Sequence, residues 1–115
     1  MNTLTIKTTK IEYKKGRYWH IKRFEKIYSD KDCLCLIDGE IISKEEGNNI
    51  FLSLMKEEDF SFSMSEKAVL KEELISSYKN KIDNAIDYID NYNQQKKAEK
   101  NNERLLNIIS ALEKL

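Results

Sequence analysis

The stretch CLCLIDGEIIS, residues 33–43, decides the fold. Its central Asp38-Gly39 predicts a two-residue type I′ turn, because both positions of that turn need a positive φ that Asp and Gly tolerate. The nearly all-apolar run Cys33–Ile37 is typical of a strand that is covered on at least one face. The stretch therefore predicts a tight β-hairpin that joins 33–37 to 40–43.

Two longer β-like segments precede this hairpin. The segment 3–13 is rich in Thr and Ile, and its apolar positions shift parity along the strand, which predicts a bulge near residues 8–9. A turn at 14–16, in which Gly16 supplies the positive φ, leads to a second strand over 17–28. The first quarter of the chain is thus expected to form a second β-hairpin.

Weaker strand signals follow the Asp-Gly turn. Residues 45–49 are predicted to form a loop, and 50–55 either a further strand or a short helical turn. Residues 60–64 alternate apolar and polar side chains, which is typical of a strand with one buried face. Together these segments predict a small antiparallel sheet of four to five strands.

The pattern becomes helical near residue 65. Ser63 or Ser65 is expected to cap the helix start, since Ser63 stands three residues before Glu66. Apolar residues then recur every three or four positions over 75–92, which is typical of a coiled-coil-like seam.

The polar stretch 93–103 interrupts this seam, which resumes at Leu105. One very long helix fits this pattern, and so does a helical hairpin that turns within 91–102. The hairpin is favoured because a small sheet needs two covering helices. The prediction is an α+β fold in one domain, 1–115, with a sheet part at 1–64 and a helical part at 65–115 that joins copies into a homo-oligomer.

Composition limits the class of protein. The 115 residues are 35% charged and 40% hydrophobic, as in a folded domain with a charge-rich surface. No apolar run approaches the ~20 residues that cross a bilayer, and the N-terminus lacks the apolar block of a signal peptide, so a cytoplasmic location and no membrane contact are expected. The net charge of zero argues against strong non-specific binding to nucleic acid.

The sequence contains no recognised catalytic constellation. The single histidine, His20, has no evident base or metal partner nearby. Cys33 and Cys35 are too few for a structural zinc site and are interpreted as two small buried side chains. We therefore expect a non-enzymatic protein with no catalytic residues, no cofactor and no metal.

The stretch KKGRYWHIKRF, residues 14–24, holds the only Trp, the only His and two of the three Arg. In a strand, alternate residues point to opposite faces. One face then carries Arg17, Trp19, Ile21 and Arg23, and the other carries Tyr18, His20, Lys22 and Phe24. Arg binds phosphate bidentately and Trp stacks on bases, so an exposed first face suits a nucleotide or a single strand. The alternative is that Trp19 and Ile21 belong to the core.

The order of elements, an antiparallel sheet followed by helices, and the Lys-rich, Pro-free composition resemble phage-encoded Thoeris anti-defence proteins. These bind cyclic ADP-ribose-type signals in an oligomer without cleaving them. The resemblance implies a phage or mobile-element protein that antagonises bacterial immunity by sequestering a cyclic nucleotide-like signal. It would place Arg17, Arg23 or Arg104 on the phosphates of the ligand and Trp19 or a Tyr on its base. The predicted ligand-binding residues are therefore Arg17, Tyr18, Trp19, His20, Arg23 and Arg104.

Other functions fit the same sequence. The chain could block a host defence protein, as anti-CRISPR proteins do, through the acidic region 32–64, which has eight Asp or Glu and two Lys. It could be a dimeric nucleic-acid-binding or regulatory protein that contacts phosphates through its basic region 7–31. A structural or assembly protein of a mobile element is the third possibility.

Overall fold

A computed structural model describes residues 2–57 and 59–115, apart from the side chain of Asp87. The α+β class is confirmed. By its internal contacts the chain divides into two compact units. One is the sheet unit, Thr3–Val69, and the other is the helical unit, which comprises Leu70–Leu115 with Asn2.

The sheet unit contains five antiparallel strands in the order β4-β3-β2-β1-β5. The strands are β1 (Thr3–Lys15), β2 (Tyr18–Tyr28), β3 (Cys33–Ile37), β4 (Glu40–Ile42) and β5 (Ser61–Leu70). One helix, α1 (Lys44–Leu54), connects β4 to β5.

The predicted Asp-Gly turn is confirmed, with φ of 48° at Asp38 and 83° at Gly39. The predicted bulge in β1 is wrong, because β1 pairs with β2 without a break from Thr5↔Tyr28 to Lys15↔Tyr18. The parity shift has another cause: β1 changes the face that it buries. Leu4 and Ile6 are buried on one face, and Ile11 and Tyr13 on the other.

Helix α1 replaces the predicted loop at 45–49, and of the two alternatives predicted for 50–55 it agrees with the helical turn and excludes the strand. Ser43 is its N-cap, and the Ser43 side chain accepts a hydrogen bond from the backbone N–H of Glu46. The helix covers one face of the sheet, where Leu54 is buried with Ile11 and Tyr13. The half-buried side chains packed against this cluster are Phe24, Ile50, Phe51 and Phe60.

The two faces of the sheet carry different residues. The α1 face is the side of Ile11, Tyr13, Phe24 and Lys26. The Trp19 face is the opposite side, with Trp19, Ile21 and Arg23. These assignments follow from the unbroken register, since residues that are paired across strands share a face.

The helical unit is a hairpin of two helices, as favoured, but its turn lies at 80–91. Helix α2 spans Lys71–Lys79 and α3 spans Tyr92–Glu113, with a 3₁₀ turn at Ile86–Tyr88 between them. The predicted continuous seam over 75–92 is therefore wrong. Among the described helices, none has the length and apolar character needed to span a bilayer.

Asn102 explains where the hairpin turns. Its Oδ1 accepts a hydrogen bond from the Asp83 backbone N–H, and its Nδ2 donates one to the Asp83 carbonyl, both at 2.9 Å. The buried residues of α3 are Leu105, Ile108, Ile109 and Leu112. The predicted helix start near 65 is also wrong, since β5 continues to Leu70 and contains Ser63 and Ser65.

Candidate functional site

The structure exposes the rare residues of the first hairpin. Trp19 is 61% and Ile21 57% exposed on the Trp19 face, so the alternative that they are core residues is excluded. Arg23 is exposed on the same face, and its backbone N–H donates to Asp38 Oδ1 at 3.0 Å. This face therefore offers a Trp and an Arg head group to solvent.

The other predicted ligand-binding residues lie elsewhere. Tyr18 is exposed and His20 stacks on Tyr13 with ring centroids 5.3 Å apart, both on the α1 face. Arg17 belongs to the exposed turn. Arg104 is in α3 of the helical unit, where its Nη2 donates to Asn101 Oδ1 at 2.7 Å. The six residues do not form one surface within the sheet unit, and their role in binding stays a prediction.

A pocket of about 220 Å³ lies between α1 and the α1 face of the sheet. It is called the α1 pocket below. The strands contribute Lys7, Thr9, Phe24, Glu25, Lys26, Cys35, Leu36, Ile42, Phe62 and Met64, and the helix contributes Lys44, Gly47, Asn48 and Phe51. None of the predicted ligand-binding residues is among them.

The floor of the α1 pocket is a row of side chains across four strands. Lys7 of β1 is paired with Lys26 of β2, Lys26 with Cys35 of β3, and Cys35 with Ile42 of β4. Side chains that are directly opposite across antiparallel strands have Cβ atoms about 4.5–5.5 Å apart. Two lysines therefore stand side by side on the floor.

The walls of the α1 pocket are aromatic. The Phe51 ring of α1 meets Phe24 at a centroid distance of 6.2 Å and Phe62 at 6.3 Å, both edge to face. Edge-to-face contacts have a preferred geometry and contribute stability beyond that of apolar burial, so they fix the orientations of the rings. The walls are therefore a defined aromatic cluster that stands beside the paired lysines.

Close packing of α1 on β4 shapes one end of the α1 pocket. Gly47 lies where a Cβ atom would come within 3.2 Å of Ile42 Cδ1. A larger residue at this position would push the helix or the isoleucine away. Lys44, the first residue of α1, brings a third ammonium group to the same end.

The pocket lysines form no ion pair with a carboxylate within 2–57 and 59–115. Glu25 reaches the lining, but its register with Leu36 places it on the Trp19 face. Like charges directly opposite each other in a sheet are destabilising. The α1 pocket therefore has a surplus of positive charge that an anion would relieve.

The pKa of the Cys33 thiol, which lies beside the floor residue Cys35, depends on burial and on the lysine charges. Cys33 Sγ and Cys35 Sγ are 3.9 Å apart, and both cysteines are free. Burial and the neighbouring Cys35 raise the pKa of the Cys33 thiol, whereas Lys26 and Lys44 lower it. In the part of the chain that the structure describes, no group of three or more His, Cys, Asp or Glu could hold a metal ion.

Comparison with protein-family models, with characterised proteins and with solved structures finds no match. The geometry of the chain itself therefore has to indicate its function. The sequence did contain a signal for the missed pocket: Ser43-Lys-Glu-Glu46 has the spacing of a capping box, which predicts the start of α1.

Proposed function

We propose that this chain is a non-enzymatic binding protein that sequesters an anionic ligand with a flat aromatic part, such as a cyclic nucleotide-like signal. The ligand would bind in the α1 pocket. The observation that carries this proposal is the pair of Lys7 and Lys26, which are opposite each other on the pocket floor beside an aromatic cluster.

The charge of the α1 pocket favours a phosphate group. An oxyanion between Lys7 and Lys26 would replace their repulsion with two charge-assisted hydrogen bonds, which are stronger than neutral ones. Lys44, at the end of the pocket where α1 packs on β4, can bind a second anionic group. Lysine acts toward phosphate as a mobile point charge, so three lysines tolerate several arrangements of the ligand.

The aromatic walls favour a base. Base-to-ring stacking is worth about 1–3 kcal/mol per base and accepts any base. Phe62, which is 53% exposed, is the pocket aromatic most accessible for such a contact among Phe24, Phe51 and Phe62. Thr9 and Asn48 add polar groups to the lining that can fix the orientation of a ligand.

The lining also supports a binding role over a catalytic one. Its ionisable side chains are three lysines, one thiol and the carboxylate that points to the opposite face, and no described histidine lines the pocket. General acid–base chemistry near neutral pH commonly uses a histidine or a carboxylate in contact with the substrate. Sequestration without cleavage agrees with the function that the resemblance to Thoeris anti-defence proteins implies.

Isothermal titration calorimetry tests this proposal. Cyclic ADP-ribose-type nucleotides and cyclic dinucleotides are titrated into the wild type, Lys26→Ala and Lys10→Ala. Lys10 is the matched control, because it lies on the same sheet but on the Trp19 face and pairs with Glu12 at 3.5 Å. We expect Lys26→Ala to weaken binding by about tenfold or more and Lys10→Ala to leave it unchanged, since a hydrogen bond to a charged group is worth about 1.5–3 kcal/mol. Equal effects of both variants, or no binding by the wild type, would refute it.

A second candidate function is favoured by the Trp19 face. Exposed Trp and Arg are the residue types that contribute most to protein–protein binding, and Trp19 and Arg23 lie together on this face. The chain could therefore block a host defence protein directly. A cellular defence assay separates the two functions: Trp19→Ala abolishes a direct block, whereas Lys26→Ala abolishes sequestration.

A further inference from the structure

Strand β5 is an unprotected edge of the sheet. It is the outermost strand beside β1, it is ten residues long, and its residues 61–68 are all exposed. The opposite edge, β4, has three residues. An edge strand of this length presents a row of backbone N–H and C=O groups that can pair with another strand.

The first half of β5 also lacks the usual protection against pairing. Proteins protect edges with charged side chains, proline or bulges. The segment SFSMS, 61–65, contains no charge and no proline. Its Phe62 and Met64 line the α1 pocket, and its three serines alternate with them. This half of the strand is therefore suited to accept a partner strand.

The α1 pocket is incomplete on the side of β5. Phe62 and Met64 line it, yet each is 53% exposed. Its volume of about 220 Å³ is also below the ~300–1,000 Å³ of typical ligand sites. The pocket is therefore open to solvent beside these two side chains.

We propose that β5 pairs antiparallel with β5 of a second copy of this chain, centred on Ser63, and that Phe62 and Met64 of each copy extend the α1 pocket of the other. The extension of the pocket rests on the proposed function. The pairing itself does not. It places the homo-oligomer interface on strand β5 of the sheet and not on helices α2 and α3.

The symmetry of such a pair joins the two sheets with their corresponding faces on the same side. A two-fold axis perpendicular to the sheet makes the strands antiparallel and keeps both α1 faces on the same side. In the register centred on Ser63, Phe62 is opposite Met64 of the second copy, and Ser61 is opposite Ser65. Sulfur–aromatic contacts and Ser–Ser cross-strand pairs are both favourable.

Charge supports the same register. Asp59 stands two residues before β5, and Lys67 stands two residues beyond the uncharged segment. Asp59 is a loop residue with a φ of 51°, and the register centred on Ser63 brings this end of one β5 near Lys67 of the other copy, so the two-fold axis creates the Asp59–Lys67 proximity twice. Both residues are exposed in the single chain.

Disulfide trapping tests the register. Ser63→Cys is made in a chain that also carries Cys33→Ser and Cys35→Ser, and it is compared with Ser65→Cys in the same background. After mild oxidation we expect Ser63→Cys to form a covalent dimer, because opposite Cβ atoms are about 4.5–5.5 Å apart. Ser65→Cys should remain uncross-linked, since its two copies would be about 13 Å apart along the strands. Equal cross-linking of the two variants, or none in either, would overturn the register.

Charge reversal gives an independent readout in the otherwise unmodified chain. Sedimentation velocity should show a dimer for the wild type, and Lys67→Glu and Asp59→Lys should each weaken the dimer by about tenfold. The double variant should restore it. A monomeric wild type, or a double variant no better than the singles, would overturn the pairing.

These measurements separate the pairing from the proposed function. A dimer that is trapped through Ser63 but binds none of the nucleotides contradicts only the proposed function. A monomer that binds them contradicts only the pairing. If both hold, Phe62→Ala should weaken nucleotide binding, whereas Ser61→Ala, on the other face of β5, should leave it unchanged.

Discussion

Strand β2 presents Trp19, Ile21 and Arg23 on one face and Phe24 and Lys26 on the other, and the two faces have different surroundings. Near the hairpin tip the Trp19 face is exposed to solvent. The α1 face is covered by α1 and contains the pocket. Trp19 and Arg23, which stand out in the sequence, therefore lie on the open end of the Trp19 face, whereas commoner residues, Lys and Phe, form the pocket. A covering element, and not the rarity of a residue, creates a concave site.

The largest expected difference between the two faces is in stability. Ile11→Ala and Ile21→Ala make the same change in the same hairpin, but Ile11 is fully buried on the α1 face and Ile21 is 57% exposed. We expect a loss of about 2–5 kcal/mol for Ile11→Ala and less than about 1 kcal/mol for Ile21→Ala. Urea denaturation measures both, and similar losses would mean that the two faces are equally covered.

The N-cap of α1 is the next test, because this helix makes the two faces differ. Ser43→Ala removes the hydrogen bond from the Glu46 N–H and should destabilise the protein by about 1 kcal/mol. Ser53→Ala, in the exposed part of the same helix, is the control and should change stability by less than about 0.5 kcal/mol. A shift in the urea midpoint for Ser43→Ala alone would confirm that the cap holds α1 in place.

A smaller effect is expected from the paired lysines. Lys26→Glu places a negative charge directly across the strands from Lys7. This attractive pair should stabilise the ligand-free protein by about 0.2–1 kcal/mol. The same change should abolish nucleotide binding. The gain should shrink at high salt, since the pair is only half-buried. A loss of stability would show that the lysines do not repel each other in the free protein.

The smallest effect concerns the Cys33 thiol, whose pKa is raised mainly by burial and lowered by Lys26 and Lys44. Less thiolate is present at a given pH, so alkylation by iodoacetamide at pH 8 should be slower than for a free thiol. Lys26→Gln should slow it further, and Lys10→Gln should not. Peptide mass spectrometry gives the rates at Cys33. An acceleration in Lys26→Gln would contradict the assigned charge effect.

The raised pKa of Cys33 also determines how the stability of the protein changes with pH. A thiol whose pKa is raised by folding stays protonated in the native protein at a pH where the unfolded chain already ionises. The contribution of Cys33 to the free energy of unfolding should therefore be constant below the ordinary thiol pKa and should fall as the pH rises above it.

Local signals in the sequence identified most strands. Asp38-Gly39 determined one turn, and the apolar run of β3 was predicted with its observed limits. The same reasoning missed the start and length of α1, because it predicted a loop at 45–49 and left 50–55 open between a strand and a short helical turn, although Ser43 and Glu46 have the capping-box spacing. It also misplaced the helix start near Ser63, where the alternation of β5 continues to Leu70.

The sequence by itself determined the α+β class, the hairpins and the alternation that puts Trp19 and Lys26 on opposite sides of β2, because turn chemistry and a period of two are local properties. Only the tertiary structure decided which side becomes a pocket. That depends on where α1 packs and on a register that aligns Lys7, Lys26 and Cys35 across three strands. Both are contacts between residues far apart in the chain, and no local pattern encodes them.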